Sequence, residues 1–444
     1  MDVENAPFLN GEHNMARSMT RRQWLSTATQ AACAAAAANA WNSSAAATPS
    51  AGDPPQRTIT RGPKHHWFAY YDKLQFDPSG RYCLGMQVDF EHRSPRPDDV
   101  IQIGMVDLQD EDRWIELDES RAWGWQQGCM LQWVPGSDRQ ILWNDREGDR
   151  YVCHILDVRS GQRRTVGHPI YCLSPDGRTA FSADFRRIND TRPGYGYVGL
   201  PDPHAEDRAP AESGIFRVDL QTGQQELIVS LAQAAAFELP KENPYFASED
   251  MPKAKHWFNH LLVNPDGTRL EFLHRWRPEG ATRWLTRMFT CAPDGSDLRC
   301  IINTGMASHF IWRDPDHILV WARHASHGDK FYLVEDREGG RFEVVAPEVM
   351  TRDGHCSYLP DLDWIVNDTY PDANREQTVY LYHLPTERRI ELGRYHTPRE
   401  YSGEWRVDTH PRHSPDGKMI VIDSAHTGAG RQMHLIDISG IVAG

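Results

Sequence analysis

Short apolar segments along this chain alternate with tight turns that are rich in Pro, Asp and Gly. Each turn joins two apolar stretches, such as the one at 419–422, and the same unit occurs seven times. Turns of the Asp-Gly type between such stretches indicate β-hairpins. The seven turns lie at 77–80, 135–138, 175–177, 265–267, 314–316, 360–363 and 415–417. A repeat of about 40–60 residues built from antiparallel strands is typical of a propeller. The pattern therefore predicts an all-β, seven-bladed β-propeller.

The repeats fill residues 58–444 and predict a single propeller domain there. An open propeller would leave an unpaired sheet edge, which β-proteins avoid. We therefore expect residues 57–60 to form the outer strand of the last blade, whose third strand is predicted at 432–438. The third and fourth turns are about 90 residues apart, and we assign the excess to long loops at 187–213 and 232–259.

The N-terminal segment has the features of an export signal. Residues 20–26 read Thr-Arg-Arg-Gln-Trp-Leu-Ser, an Ala-rich stretch follows, and small residues suited to cleavage come after it. This order predicts a twin-arginine signal peptide at 1–47, removed on export, and a polar linker at 48–57. The mature protein is then expected in the periplasm or outside the cell.

Composition narrows the class of protein further. The net charge of −14 gives no basic footprint for nucleic acid, and the body has no apolar run long enough to span a membrane. The 15 Trp, 15 Tyr and 15 Phe residues are expected to serve blade packing and a sugar platform. Of the eight cysteines, seven remain after removal of the predicted signal peptide, and their odd number and scattered spacing do not indicate a disulfide framework. Cys291 and Cys300 flank one turn, and a pair there stays open.

Histidines recur at one position of the repeat. His260, His355 and His410 each precede the turn aspartate by six residues, His309 precedes it by five, and Tyr71 takes the position in the first blade. Because the innermost strand of a propeller blade starts beside the central channel, these side chains are expected to converge there. Clustered imidazoles are suited to metal coordination, acid–base chemistry or both.

Cationic and aromatic side chains are predicted at the same end of the channel. Arg146, His274 and Arg275 lie where second strands return to that face, and Tyr70 and Trp125 lie in aromatic-rich segments. Arginine binds planar carboxylates with two parallel hydrogen bonds. The sequence therefore predicts an acidic oligo- or polysaccharide as the ligand, bound by Arg146, His274, Tyr70 and Trp125 together with His355.

Four segments resemble motifs of the oligogalacturonate lyases, which are seven-bladed propeller polysaccharide lyases. Residues 259–265 resemble the family's Gly-His-Pro strand, and residues 286–289 its Ala-Arg-Met-Trp segment. Residues 308–312 resemble Thr-His-Glu-Phe-Trp, and residues 408–412 a Gln-x-x-His-Pro-His run. The resemblance spans nearly the whole mature chain. It implies lyase activity with His260 as the base, Arg287 at the substrate, and a manganese-like metal held by His309 and His410.

The match to the family's metal site is partial. Its Gln falls on Val407 and its second His on Arg412, and Asp408 or His413 would have to substitute out of register. A divalent metal and a metal-independent site both remain open. In the second case a guanidinium would take over the role of the metal.

The mechanism that fits these residues is β-elimination at a uronic acid. Loss of the C5 proton requires neutralisation of the carboxylate, which Arg412, with Arg406 or Arg275, would provide alone or beside a metal. Tyr71 or Tyr70 would protonate the leaving oxygen.

Two other functions stay open at this point. The first is a non-catalytic propeller that binds carbohydrate or protein, since this fold hosts many functions. The second is a glycoside hydrolase that uses two carboxylates among Asp145, Asp184 and Asp368.

Overall fold

The computed structural model describes residues 53–238, 246 and 248–443. Within these residues the chain forms seven four-stranded antiparallel sheets, so the predicted all-β, seven-bladed propeller is confirmed. The segment predicted as a signal peptide, and residues 48–52 of the predicted linker, lie outside the described residues. No helix in the described ranges is long and apolar enough to cross a membrane.

The blades follow one another along the chain. The first blade consists of β2 (His65–Trp67), β3 (Tyr82–Val88), β4 (Ile101–Asp107) and β5 (Arg113–Ser120). The second consists of β6 (Gln132–Trp133), β7 (Gln140–Glu147), β8 (Arg150–Asp157) and β9 (Arg163–Val166). The third consists of β10 (Cys172–Leu173), β11 (Thr179–Ser182), β12 (Gly214–Asp219) and β13 (Gln225–Ser230). The fourth blade consists of β14 (Lys255–Val263), β15 (Leu270–Arg277), β16 (Leu285–Cys291) and β17 (Arg299–Ile302). The fifth consists of β18 (Ala307–Asp314), β19 (His317–His324), β20 (Gly328–Glu335) and β21 (Phe342–Val344). The sixth consists of β22 (Ser357–Tyr358), β23 (Trp364–Asn367), β24 (Glu376–His383) and β25 (Arg388–His396).

The last blade is closed by the beginning of the chain. It contains β26 (Arg412–His413), β27 (Met419–Ser424), β28 (Gln432–Asp437) and, outermost, β1 (Gln56–Thr58). Thr58 pairs with His434, and the Ile59 N–H extends the ladder by donating to the Met433 carbonyl at 2.9 Å. The predicted closure is confirmed. The strand begins at Gln56, so two residues predicted as linker belong to the propeller.

All seven predicted turns join the first and second strands of a blade. They are stabilised locally: the Asp77 carboxylate accepts hydrogen bonds from the backbone N–H groups of Ser79 and Tyr82. Gly177 adopts φ +65°, and a Cβ there would lie 2.7 Å from the Pro135 carbonyl of the neighbouring blade. Glycine is therefore required for both the turn and the blade contact.

Helical elements are few and short. Among the described residues they are α1 (Phe185–Thr191), α2 (Leu231–Ala235), α3 (Ser439–Val442) and the 3₁₀ segments Ser248–Lys253 and Gly403–Trp405. The two segments predicted as long loops thus contain some regular secondary structure. The first begins within α1, and the second ends within β14, which starts at Lys255.

Aromatic side chains form much of the packing between blades. Trp67, Trp123 and Trp125 pack together with ring centroids 5.2–5.7 Å apart, and each is at most 1% exposed. The seven cysteines of the described residues are free thiols, so Cys291 and Cys300 do not pair. Apolar burial between blades therefore stabilises the described fold without cross-links.

Candidate functional site

The centre of the propeller is filled by the segment that follows β2. Tyr70 and Tyr71 lie on it, and their rings contact the imidazoles that the repeat predicted there. Tyr70 stacks on His260 with centroids 4.9 Å apart and lies 5.3 Å from His410, while Tyr71 lies 5.4 Å from His355 and 6.0 Å from His309. The predicted His/Tyr cluster is therefore assembled at one place.

A buried ion pair holds this central segment. The Asp423 carboxylate accepts hydrogen bonds from the N–H groups of Phe68 and Ala69, the latter at 2.9 Å. Arg412 donates to Asp423 at 2.9 Å, to the Gln75 side chain at 2.8 Å and to the Ala69 carbonyl at 3.2 Å. Arg412 is 2% exposed, and its guanidinium is already bound within the protein. Its surroundings are those of a group that positions the tyrosine segment, not of one that receives a ligand.

His260 lies at a β-bulge where its backbone adopts φ +55°. Its N–H donates to the Tyr171 hydroxyl at 2.8 Å, and Tyr171 donates to Gln127 at 2.8 Å. The Gln127 carboxamide lies 3.2 Å from Nδ1, which leaves Nε2 facing the Tyr70 hydroxyl at 3.3 Å and the Arg192 guanidinium at 3.4 Å. Bulges often re-aim a side chain in this way next to active sites.

The electrostatic surroundings keep the His260 ring neutral. Burial lowers its pKa well below 6.5, and the positive charges of Arg275 and Arg192 lower it further. A neutral imidazole has a free lone pair at neutral pH, as a general base requires.

Two arginines beside His260 lack an anionic partner. Arg275 is 4% exposed, its Nε and Nη1 atoms have no hydrogen-bond partner, and neither Arg275 nor Arg192 forms an ion pair within the described part of the chain. Burial, with Arg192 close by, lowers the pKa of Arg275 to about 9. Trp284 packs at 5.0 Å from Arg192 and 5.8 Å from Arg275. A buried cation without a counter-ion is costly, so this pair is suited to binding an anion.

Arg406 connects two other groups of the cluster. Its Nη2 donates to the Tyr195 hydroxyl at 2.6 Å, and its Nε donates to Asp408 at 2.8 Å. Burial acts to raise the pKa of Tyr195, but Arg192, whose guanidinium lies 3.6 Å from the Tyr195 ring, and Arg406 outweigh it and lower that pKa overall. Tyr195 was not among the predicted site residues.

His355, Asp408 and His410 offer ligand atoms that all lie within 4.8 Å of one another. The His410 Nε2 atom is buried without a hydrogen-bond partner, and the Nδ1 atom of His355 is 2.9 Å from Asp368. A carboxylate that orients the second nitrogen is usual for a metal-binding imidazole. Two imidazoles and one carboxylate fit a divalent transition-metal ion.

His309 borders this group. Its ring lies 4.2 Å from that of His355, with Nδ1 2.9 Å from Asp353 and Nε2 3.5 Å from the Tyr370 hydroxyl. The structure thus brings the predicted ligands His309 and His410 into one cluster. It adds His355, which the sequence assigned to the substrate. It also adds Asp408, which does not align with a metal ligand of the oligogalacturonate lyase motif.

Four residues predicted to bind substrate lie elsewhere. His274 and Arg287 contact each other at 3.2 Å in the packing between blades, where Arg287 also donates to the Ala234 carbonyl at 2.8 Å. Trp125 is buried in the tryptophan cluster, and its indole N–H donates to the Arg93 carbonyl at 2.8 Å. Arg146 donates to the Pro97 carbonyl at 2.6 Å. Their hydrogen bonds and packing give these four residues structural contacts away from the cluster.

The carboxylates considered for hydrolysis are also held within the structure. Asp368 is bonded to His355 and Thr409, Asp145 accepts from the Arg121 N–H at 2.7 Å, and Asp184 caps α1. The described geometry therefore does not favour a pair of free carboxylates on one substrate.

Comparison with known proteins concerns the fold. No protein-family model and no curated protein sequence matches the chain. An oligogalacturonate lyase from Vibrio parahaemolyticus is 14% identical with a TM-score of 0.58, covering 87% of this chain and 95% of its own. An oligogalacturonate lyase in complex with manganese is 16% identical with a TM-score of 0.62, covering 88% and 94%. A puromycin-hydrolysing peptidase of Mycobacterium tuberculosis is 14% identical with a TM-score of 0.51, covering 89% of this chain and 54% of its own. The likeness to the oligogalacturonate lyases that the sequence predicted is therefore confirmed at the level of the fold.

Proposed function

We propose that this protein is a polysaccharide lyase that cleaves a uronic-acid-containing oligo- or polysaccharide by β-elimination. The observation that carries the proposal is the pair of buried Arg275 and half-buried Arg192, which have no counter-ion among the described residues and lie beside a neutral His260. A uronate carboxylate supplies the missing anion and brings its C5 proton next to the imidazole. The two oligogalacturonate lyase structures agree with this reading.

Each group has a chemical task in this mechanism. Arg275 and Arg192 bind the carboxylate and stabilise the negative charge that develops on it when C5 loses its proton. His260 accepts that proton at Nε2 in the tautomer that carries its own proton on Nδ1, which requires the Gln127 carboxamide to turn its oxygen toward Nδ1. Gln127 contacts the imidazole at Nδ1 and the Tyr171 hydroxyl accepts from the His260 backbone N–H, so the ring is positioned before the substrate arrives.

We also propose a divalent metal at His355, Asp408 and His410, with His309 beside them. Bound there, a metal would supply further positive charge for the substrate's oxygen atoms. Arg406 donates a hydrogen bond to Asp408, and Asp368 orients His355. Arg412, bonded to Asp423, supports the central segment in this scheme.

The test of the proposed function is an ultraviolet assay for unsaturated uronate products on pectic, glucuronan, ulvan-like and glycosaminoglycan substrates. Elimination conserves mass, whereas hydrolysis adds one water, so product mass excludes the hydrolase alternative. His260→Ala should lose at least about 10²-fold in rate. His154→Ala, which alters an equally buried histidine in the second blade, should keep the activity. Binding of all these sugars without product would support a non-catalytic propeller instead.

Export is a separate proposal that rests on the twin-arginine motif at 20–26. Replacing Arg21 and Arg22 with lysine should retain the protein in the cytoplasm, as measured by fractionation of cells. Continued export of this variant would contradict the twin-arginine route.

A further inference from the structure

The β-elimination proposed above leaves one proton unassigned. When the C4–O4 bond breaks, O4 carries away a negative charge unless a group protonates it. Tyr70 and Tyr71 were the sequence candidates, and three further tyrosines, Tyr171, Tyr195 and Tyr370, line the same cluster. Their hydroxyl groups differ in how they are bound.

Two of the five hydroxyls have their hydrogen bonds filled by the protein. Tyr71 donates to the Phe310 carbonyl at 2.7 Å and accepts from the Phe310 N–H at 2.9 Å. Tyr171 accepts from the His260 N–H and donates to Gln127. Neither hydroxyl can release a proton to a substrate without breaking the hydrogen bond that it donates, to the Phe310 carbonyl or to Gln127.

Tyr70 and Tyr370 face imidazoles. The Tyr70 hydroxyl lies 3.3 Å from His260 Nε2, and the Tyr370 hydroxyl lies 3.5 Å from His309 Nε2. Burial raises the pKa of both phenols well above 10, and acidic neighbours or other tyrosines raise it further. Weakly acidic phenols are poor proton donors to a leaving alkoxide.

Tyr195 differs from the other four tyrosines. Its hydroxyl accepts a hydrogen bond from Arg406 at 2.6 Å, and no described residue accepts its proton. The Arg192 guanidinium lies 3.6 Å from the centre of its ring, and the ring meets His260 edge-on at 5.7 Å. Two cations thus stabilise the phenolate that proton donation would leave behind.

We propose that Tyr195 is the general acid of the reaction and protonates the leaving oxygen O4; this inference rests on the proposed lyase function. His260 takes the C5 proton, the C5–H electron pair forms the C4=C5 double bond, and the C4–O4 bond breaks. O4 receives the phenolic proton of Tyr195 as it leaves. The proton held by His260 then returns to the Tyr195 phenolate through solvent, so no co-reactant is consumed.

The position of Tyr195 supports this assignment. The residue follows α1, whose last residue is Thr191, and Arg192 lies between them. A single short segment thus supplies one carboxylate-binding group and the proposed acid. Since the rings of His260 and Tyr195 are neighbours, the base and the acid can address adjacent carbon atoms of one sugar ring.

The test is the dependence of rate on the leaving group. Uronates that carry O4-aryl groups of increasing acidity, and a 4-deoxy-4-fluoro uronate whose fluoride leaves without a proton, are compared in wild type and Tyr195→Phe. The variant should lose about 10²–10⁴-fold on the natural oligouronide. That loss should shrink steadily along the series, to about tenfold or less with the best leaving group. Tyr395→Phe, a buried tyrosine bonded to Gln56 at 3.0 Å, is the matched control and should keep all rates.

The outcomes separate this inference from the function on which it rests. An equal loss for every leaving group would assign Tyr195 a structural role and overturn the inference. Full activity of Tyr195→Phe on the natural substrate would overturn it as well. If wild-type protein forms no unsaturated uronate from any substrate, the proposed function itself fails. Unfolding temperatures and binding of a uronate product check that the phenylalanine variant is folded.

Discussion

The unpaired guanidinium of Arg275 leads to an unusual expectation: removing it should abolish activity and stabilise the protein. Burial, with Arg192 beside it, lowers the pKa of Arg275 from 12.5 to about 9. At 1.36 kcal/mol per pH unit, keeping this group charged at neutral pH costs on the order of 5 kcal/mol. Below pH 9 the guanidinium is charged in both the folded and the unfolded protein, so the cost is fully present there, and it declines as the pH rises from about 9 towards 12.5.

The Arg275→Met variant keeps a side chain of similar length without the charge. Replacing buried charges with apolar side chains often stabilises a protein by about 1–4 kcal/mol, and we expect a gain in this range. The free energy of unfolding is measured by denaturant titration, in which an unchanged slope with a higher midpoint reports a true change in stability. Lyase activity and uronate binding should fall at least about 10²-fold.

Arg187→Met is the matched control. Arg187 is 1% exposed, pairs with Asp202 at 3.0 Å and donates to four backbone carbonyls, so its removal leaves a buried carboxylate unpaired. We expect this variant to lose about 3–5 kcal/mol. The reasoning is refuted if Arg275→Met is destabilised like Arg187→Met, or if it keeps wild-type activity.

Three further predictions follow from the site. The lowered pKa of His260 keeps the base unprotonated to below pH 6.5, so kcat/KM should fall only when the pH drops below that value. His410→Ala should lose the metal found by elemental analysis of the wild-type protein, because it removes one of three clustered ligand groups. Arg412→Met should cost about 3–5 kcal/mol in unfolding free energy, since Asp423 then remains buried without its partner.

Each of these predictions has an opposing result. If kcat/KM falls on acidification with a midpoint above pH 6.5, the result contradicts the electrostatic surroundings described for His260. Metal retained in His410→Ala at the wild-type ratio would exclude that imidazole as a ligand, with the buried His434→Ala as the control. If Arg412→Met keeps its stability but loses activity, Arg412 acts on the substrate carboxylate, as the sequence predicted, and does not merely support the central segment.

The repeat made the architecture predictable. Turn chemistry is local, so the seven Pro/Asp/Gly turns could be read directly, and the closing strand followed because a sheet edge needs a partner. The His/Tyr cluster followed from the same repeat, since equal positions in successive blades meet at the axis.

The remaining site residues could not be predicted for physical reasons. Arg192 and Tyr195 lie in the inserted segment at 187–213, where the repeat gives no register. Whether an arginine faces the channel or the packing between blades depends on contacts made far along the chain. Arg412 forms an ion pair with Asp423 within its own blade, whereas Arg275 pairs with no carboxylate among the residues that the structure describes. For the metal ligands, one signal was available in the sequence. Asp408 lies two residues before His410, a spacing that places both side chains on one short segment and could have indicated that they share a site.

The pairing of β1 with β28 has a consequence for how the molecule forms. Thr58 and His434 are 376 residues apart, so the ring closes only after nearly the whole chain has been synthesised. Contacts of such long range make folding slow, and β28 keeps an unpaired edge until β1 joins it. A permuted chain with its ends moved to the segment 303–306, between β17 and β18, would carry β1 and β28 joined by a short linker and every blade on one continuous stretch. We expect the permuted chain to refold faster than the natural one. Its ring should then close before a strand from another protein molecule can pair with the open sheet edge.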